Sequence, residues 1–375
     1  MSHRALFALP VLCWLAGAAF SQPARTPSIA DQVVSPEIQA DRRVTFRLYA
    51  PQAREVIFRG SLGVQPVPKQ AMTKDSDGIW SVTLGPLEPC TGDYQFLVDG
   101  VPVIDPRNPA IKPAFRGAGS SLFLVPGEPP AVWEPQKVAH GAVHMHWYQS
   151  PANDELRRFH VYTPAAYEQG KTRFPVLYLL HGAGDTDAEW VSVGRANIVL
   201  DNLIAGGKAR PMIVVMPFGH ISKPGMTQGP GRFLELFEQD LIQGVIPQVE
   251  KLYRVSTKRE DRAIAGLSMG GMQSLGAGLG NLKLFSQIGV FSMGLRGEID
   301  PRYAPVLADP EKTNQQLKLF WIACGNQDFL WEAAQKLDAT LTEHKIRHTF
   351  VKSEGGHVWM NWVKYLAEFA PLLFR

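Results

Sequence analysis

Ala263-Ile264-Ala265-Gly266-Leu267-Ser268-Met269-Gly270-Gly271 is the stretch on which the reading of this chain turns. Small apolar residues lead into a Gly-x-Ser-x-Gly pattern, and a run of small residues suited to a helix follows. That order predicts a strand, a sharp turn carrying Ser268, and a helix, which is a nucleophile elbow. A serine hydroxyl attacks carbonyls poorly unaided. The turn lifts it clear of the sheet, and the helix aims backbone N–H groups at the developing negative charge. Glycines flank the serine because a Cβ there would crowd the neighbouring strand or the helix.

Around this stretch, from about residue 140 onward, apolar strands alternate with longer helical patterns. Strands are expected over 174–180, 211–216, 262–265, 317–323 and 348–351, and helices over 195–205, 233–252 and 331–344. Such alternation implies an α/β fold with a mainly parallel central sheet covered on both faces. Reactive groups should then gather at the carboxyl ends of the strands.

A serine nucleophile needs a base to take its proton and an acid to hold that base in the right tautomer. Of the ten histidines, His357 alone sits after the last strand in a flexible Glu354-Gly355-Gly356 loop at the carboxyl edge. His220 also follows a strand but precedes the serine, the wrong order for this topology. The strand over 317–323 runs into Cys324-Gly325-Asn326-Gln327-Asp328 and delivers Asp328 to the same edge. Asp338 falls inside a helix, and Glu354 is too near His357 along the chain. Ser268, Asp328 and His357 are therefore the expected triad, in the hydrolase order.

The oxyanion needs two preorganised donors, one just after the nucleophile and one from the loop after an earlier strand. Met269 supplies the first. The strand over 174–180 enters His181-Gly182-Ala183-Gly184-Asp185, whose glycines permit close backbone approach, so Ala183 is the expected second donor. His181 is read as shaping this loop rather than as a base. His144 and His146 alternate on one strand at a spacing compatible with zinc, but no third ligand lies near, so no metal and no cofactor is expected. Trp190, Phe218, Trp359 and Trp362 lie near the motif loops. Trp359, Trp190 and Phe218 are the substrate-binding candidates, with core packing as the competing reading for each.

The N-terminal part has a different texture. Val44, Phe46 and Leu48 alternate with polar neighbours, as do Trp80, Val82 and Leu84, and Tyr94, Phe96 and Val98; Asp77-Gly78 and Asp99-Gly100 suit hairpin turns. Residues 28–125 are thus expected to form a small all-β sandwich, 126–139 a proline-rich linker, and 140–375 the α/β domain. Residues 1–21 read as an export signal cleaved after Ser21, which implies a secreted or periplasmic protein: Arg4 precedes an apolar stretch too short to span a bilayer. With 38 basic and 35 acidic residues and no basic runs, the charge points to neither nucleic acid nor a membrane surface as partner. Cys90 and Cys324 fall in different regions, so no disulfide is expected.

At these residues the chain resembles the esterase D family of α/β-hydrolases, and within it the feruloyl and acetylxylan esterases of carbohydrate esterase family one. The resemblance rests on Tyr178-Leu179-Leu180-His181-Gly182, Gly194-Arg195-Ala196-Asn197, the elbow itself, Ile322-Ala323-Cys324-Gly325 followed by Asp328, and Gly355-Gly356-His357. It implies an α/β-hydrolase fold, with Ser268, Asp328 and His357 as triad and the amides of Met269 and Ala183 as oxyanion hole. The N-terminal part is similar to the immunoglobulin-like early-set module of glycogen-branching enzymes, carried by residues 44–51 and 94–109. The resemblance implies a secreted serine esterase releasing hydroxycinnamate, ferulate foremost, from plant cell-wall xylan, so that a feruloylated or acetylated plant polysaccharide is the expected partner. Acetylxylan esterase, a siderophore trilactone esterase, an acyltransferase resembling mycolyl transferases, and a non-catalytic glycan-binding protein are the alternatives.

Overall fold

The computed structural model describes residues 27–222, 230–297 and 301–375. The export signal expected at 1–21 lies outside these described residues. Eight strands form one sheet in the spatial order Ala142–Gln149, Leu156–Thr163, Ile213–Pro217, Val176–Leu180, Arg262–Leu267, Gln287–Phe291, Leu319–Gly325 and Thr349–Ser353. Leu156–Thr163 is antiparallel to both its neighbours, and the six strands from Ile213–Pro217 onward run parallel to one another. The five expected parallel strands form within two residues of their predicted starts. Gln287–Phe291 went unread because Gln287 and Gly289 interrupt its apolar pattern, yet all five residues are buried.

Successive side chains along a strand point to opposite faces, and each face here has its own core. Val176, Tyr178 and Leu180 point into one core with Phe237, Leu241, Leu275 and Leu337. Leu177 and Leu179 point into the other with Val199, Leu203, Val363 and Leu366. Burial on both faces explains why these strands read as continuous apolar runs. Helices Ala196–Ala205 and Trp359–Phe369 cover one side; Pro230–Asp240, Met269–Gly280 and Trp331–Glu343 cover the other. The helix predicted over 233–252 is interrupted by a π-helical turn, Leu241–Val245, shortly before Pro247, which lacks the N–H a continuous helix would use.

The N-terminal strands make two antiparallel sheets, of four and six strands. Phe46, Tyr94 and Phe96 are fully buried between them, as the alternation predicts, and Phe58 joins them. Asp99 and Gly100 have φ of 47° and 85°, the pair of positive angles a tight hairpin requires. Met360, from the helix that follows His357, is buried in this N-terminal core. The proline-rich stretch after Val125 is docked rather than free: the Asn202 side chain donates to the carbonyls of Val132 and Glu134, and Arg195 donates to that of Trp133.

Candidate active site

The strand Arg262–Leu267 is buried throughout and ends at Ser268, whose φ of 52° and ψ of −116° few non-glycine residues adopt. The turn is held by the Ser268 N–H donating to the Phe291 carbonyl at 2.9 Å and the Met272 N–H donating to the Ser268 carbonyl at 3.0 Å. Its tightness requires the glycines: a Cβ on Gly266 would fall 2.5 Å from Gly270, and one on Gly270 would fall 2.6 Å from the His181 carbonyl oxygen. The helix Met269–Gly280 starts at once, so the Met269 amide stands at a helix N-terminus, where the dipole favours negative charge.

Asp328 follows the strand Leu319–Gly325 and is nearly buried. Both its oxygens lie 2.9 Å from His357 Nδ1, and it also accepts from the Leu330 N–H at 2.9 Å. Burial alone would raise the Asp328 pKa. The hydrogen bond and charge of His357, with the Leu330 N–H and the nearby Ser292 side chain, outweigh it and hold the carboxyl below its ordinary value. With Nδ1–H on the carboxylate, the imidazole presents Nε2 as acceptor. Its ring lies between Phe329, 4.4 Å away between centroids, and Trp362, 5.0 Å away and edge-on. Asn361 fixes this loop by donating to the carbonyls of Glu354 and Gly356. Ser268 and His357 line one cavity of about 420 Å³. Hydroxyl and imidazole are not directly hydrogen-bonded there, a contact that often tightens only once substrate is bound.

The loop after Val176–Leu180 brings Gly182 and Ala183 to the same cavity. A Cβ on Gly182 would lie 3.7 Å from Ser268 Cβ, so the backbone passes close to Ser268. His181 is buried beneath it: Nδ1–H donates to the Gly182 carbonyl and Nε2 accepts from the Gly219 N–H, both at 2.8 Å. Burial holds the His181 pKa below its usual value, so the ring stays neutral in one tautomer and pins the loop. Among the described residues no three His, Cys, Asp or Glu side chains are grouped to hold a metal ion, and His146 hydrogen-bonds the Tyr253 hydroxyl.

The N-terminal sheets supply parts of this site that the sequence did not reveal. Lys112 Nζ lies 3.0 Å from Asp185 Oδ1 and 5.8 Å from the centroid of Trp359. Burial opposes the Lys112 charge, but Asp185 beside it prevails and holds its pKa above the ordinary value. Asp185 in turn accepts from the Gly182 N–H at 3.3 Å, and the Phe115 N–H donates to the Gly184 carbonyl at 3.2 Å. On the histidine loop the Gly356 N–H donates to the Val64 carbonyl at 2.9 Å. Gly355 has φ of 87°, and a Cβ there would fall 2.4 Å from the same Val64 oxygen. Ser292, Asn361 and Phe329 also went unremarked; only Ser292, just after a strand end, had a position that could have marked it.

Of the three candidate substrate aromatics, Trp359 lines the cavity of Ser268 and His357. Trp190 does not: it is 1% exposed, donates Nε1–H to the Leu180 carbonyl, and packs edge-on beneath Trp359, so it is a core residue. Phe218 lines a second cavity of about 440 Å³ with Phe115, His220 and Phe233. Ala183 lines both cavities, which places Phe218 across the 181–185 loop from Ser268.

The Esterase family profile matches residues 150–373. The chain is 30% identical over 348 residues to an endo-1,4-beta-xylanase/feruloyl esterase of Xylanibacter ruminicola, covering 91% of this chain and 46% of that protein, so it spans about half the length of this relative. Among solved structures, a ferulic acid esterase is 27% identical with a TM-score of 0.54, covering 62% of this chain and 97% of its own. The enterobactin esterase of Shigella flexneri, solved with 2,3-dihydroxy-N-benzoyl-serine, is 19% identical with a TM-score of 0.61. It covers 87% of this chain and 92% of its own, a likeness of fold.

Proposed function

The chain belongs to the Esterase family, and from that premise we propose that it is an exported serine carboxylesterase that hydrolyses hydroxycinnamate esters of plant cell-wall polysaccharide. The observation that carries this reading is the Asp328–His357 hydrogen bond opening on the cavity that holds Ser268 on its strained turn. Ser268 attacks the ester carbonyl while His357 Nε2 takes its proton, and Asp328 holds the ring and stabilises the imidazolium. The amides of Met269 and Ala183 receive the oxyanion. His357 then protonates the leaving alcohol, and water releases the acid from the acyl-enzyme by the same steps in reverse order of roles.

The choice of a hydroxycinnamoyl acyl group is supported by the cavity across Ala183. Its aromatic wall of Phe115, Phe218 and Phe233 suits a phenyl ring, and Arg157 and His220 beside them suit a phenol's oxygens. The polysaccharide part follows the xylanase/feruloyl esterase relative. A release assay comparing methyl ferulate, acetylated xylan and a catechol trilactone tests it. Ferulate release should exceed the other two in kcat/KM, and preferential cleavage of acetyl groups or the trilactone would overturn the acyl assignment.

A further inference from the structure

Phe329 is 72% exposed, more than any other large apolar side chain among the described residues, although it follows the buried Asp328 directly. Nothing in the fold requires a bare aromatic ring there, and its ring lies 4.4 Å from that of His357, at the mouth of the nucleophile's cavity. A general acid must reach the oxygen it protonates, so the leaving alcohol departs on the imidazole side of Ser268. The aromatic cavity of Phe218 lies past Ala183 and has neither His357 nor Phe329 in its wall. Along the N-terminal sheets the cavity of Ser268 continues into another of about 520 Å³, the two sharing Gly60, Asp93, Lys112 and Gly184. That outer part lies between the two halves of the molecule and is walled by Arg59, Lys69, Asp93 and Gln95 of the N-terminal sheets. Arg59 and Lys69 are exposed, and Arg59 is held in place by donating to the Gln95 side chain.

The trench thus has an apolar platform beside the imidazole and hydrogen-bonding side chains beyond it. A saccharide ring has that same character: one face of C–H groups that lies flat on an aromatic ring, and a rim of hydroxyls that pairs with guanidinium, ammonium, carboxylate and amide groups. We propose that Phe329 and the N-terminal wall of Arg59, Lys69 and Asp93 form a subsite for the leaving saccharide. The assignment rests on the serine esterase reading above and makes the N-terminal sheets part of the substrate site.

The experiment compares kcat/KM for a feruloylated arabinoxylo-oligosaccharide with that for methyl ferulate, which shares the acyl group and lacks the sugar. The wild-type chain should prefer the oligosaccharide ester. Phe329→Ala should lower the ratio of the two about 3- to 10-fold, the range for loss of one aromatic stacking contact; Phe329→Trp should restore it, and Arg59→Ala should lower it as well. Both residues are exposed, so melting temperatures should match wild type and separate a folding loss from a binding one. A ratio that is unchanged in Phe329→Ala and Arg59→Ala, or a wild-type chain indifferent to the sugar, would overturn the subsite alone. A chain that cleaves neither ester would overturn the esterase reading and the subsite with it.

Discussion

On the hydrolase side of the cleft, Ser268, Asp328 and His357 are side chains set at the ends of parallel strands. On the N-terminal side, the loops that carry Gly182 and His357 are held through the Val64 carbonyl, the Phe115 N–H and the Lys112–Asp185 ion pair. On the proposed mechanism the first wall works through chemical identity: a hydroxyl to attack, an imidazole to carry the proton, and a carboxylate to orient that ring and stabilise its charge. The second works through position, because any residue can offer a carbonyl or an amide. A substitution should therefore abolish chemistry on one side and loosen geometry on the other.

The largest effects test the first half of that contrast. Ser268→Ala should lower kcat about 10⁶-fold, the scale of nucleophile removal in a serine hydrolase, and leave the melting temperature near wild type. Asp328→Asn should lose about 10⁴-fold, because an amide holds the imidazole in the wrong tautomer. Single-turnover ester cleavage reads both. Near-normal turnover by Ser268→Ala would remove the mechanism, and with it the division between the two walls.

Lys112→Met tests the other wall at intermediate size. The Lys112 and Asp185 side chains are 19% and 6% exposed, so solvent screens the pair little. Removing one partner strands a buried charge, at about 3–5 kcal/mol of stability. Because Asp185 also holds the Gly182 N–H, the oxyanion loop should shift and kcat should fall about 10- to 100-fold, with KM moving less. Adding Asp185→Asn to Lys112→Met should recover most of the stability in urea titrations, since the stranded charge is gone. Equal turnover in Lys112→Met and wild type would show that the N-terminal sheets only cover the site.

What the sequence disclosed follows the same division. Strand ends that carry reactive side chains leave a mark, so Ser268, Asp328 and His357 and the loop of Ala183 could be picked out by residue type, chain order and neighbouring glycines. Five parallel strands were legible because burial on both faces makes them continuous apolar runs. Gln287–Phe291 broke that pattern, and with it went Ser292 at its end, whose hydroxyl accepts from the Trp362 Nε1–H and whose side chain helps keep the Asp328 pKa low. Trp190 was misjudged because an aromatic next to a motif loop looks the same whether it faces a cavity or, as here, the core. Val64 and Phe115 could not be found at all, since a main-chain contact between distant segments has no residue-type signature. Lys112 looked like one of 38 basic residues until the fold put it beside Asp185.

The smallest effect concerns the contact between the halves at Phe115, whose ring stacks on His220 with centroids 3.9 Å apart. Burial pushes the His220 pKa down to about 4. In the unfolded chain it titrates near about 6.5. Between these values the unfolded state binds the proton and the folded state does not, so stability falls as pH drops from about 6.5 to about 4 and this contribution levels off below. Asp328, whose pKa is lowered from a carboxylate's value, acts in a separate window: its contribution is complete above about 3.9 and is lost as pH falls through the folded value. His220→Phe keeps a ring against Phe115 and removes the titrating nitrogen. Urea midpoints measured across pH 4 to 6.5 (roughly the window set by those two values) should fall less steeply in this variant than in wild type. Parallel slopes would mean that His220 takes up its proton in place and that the stacked contact tolerates the charge.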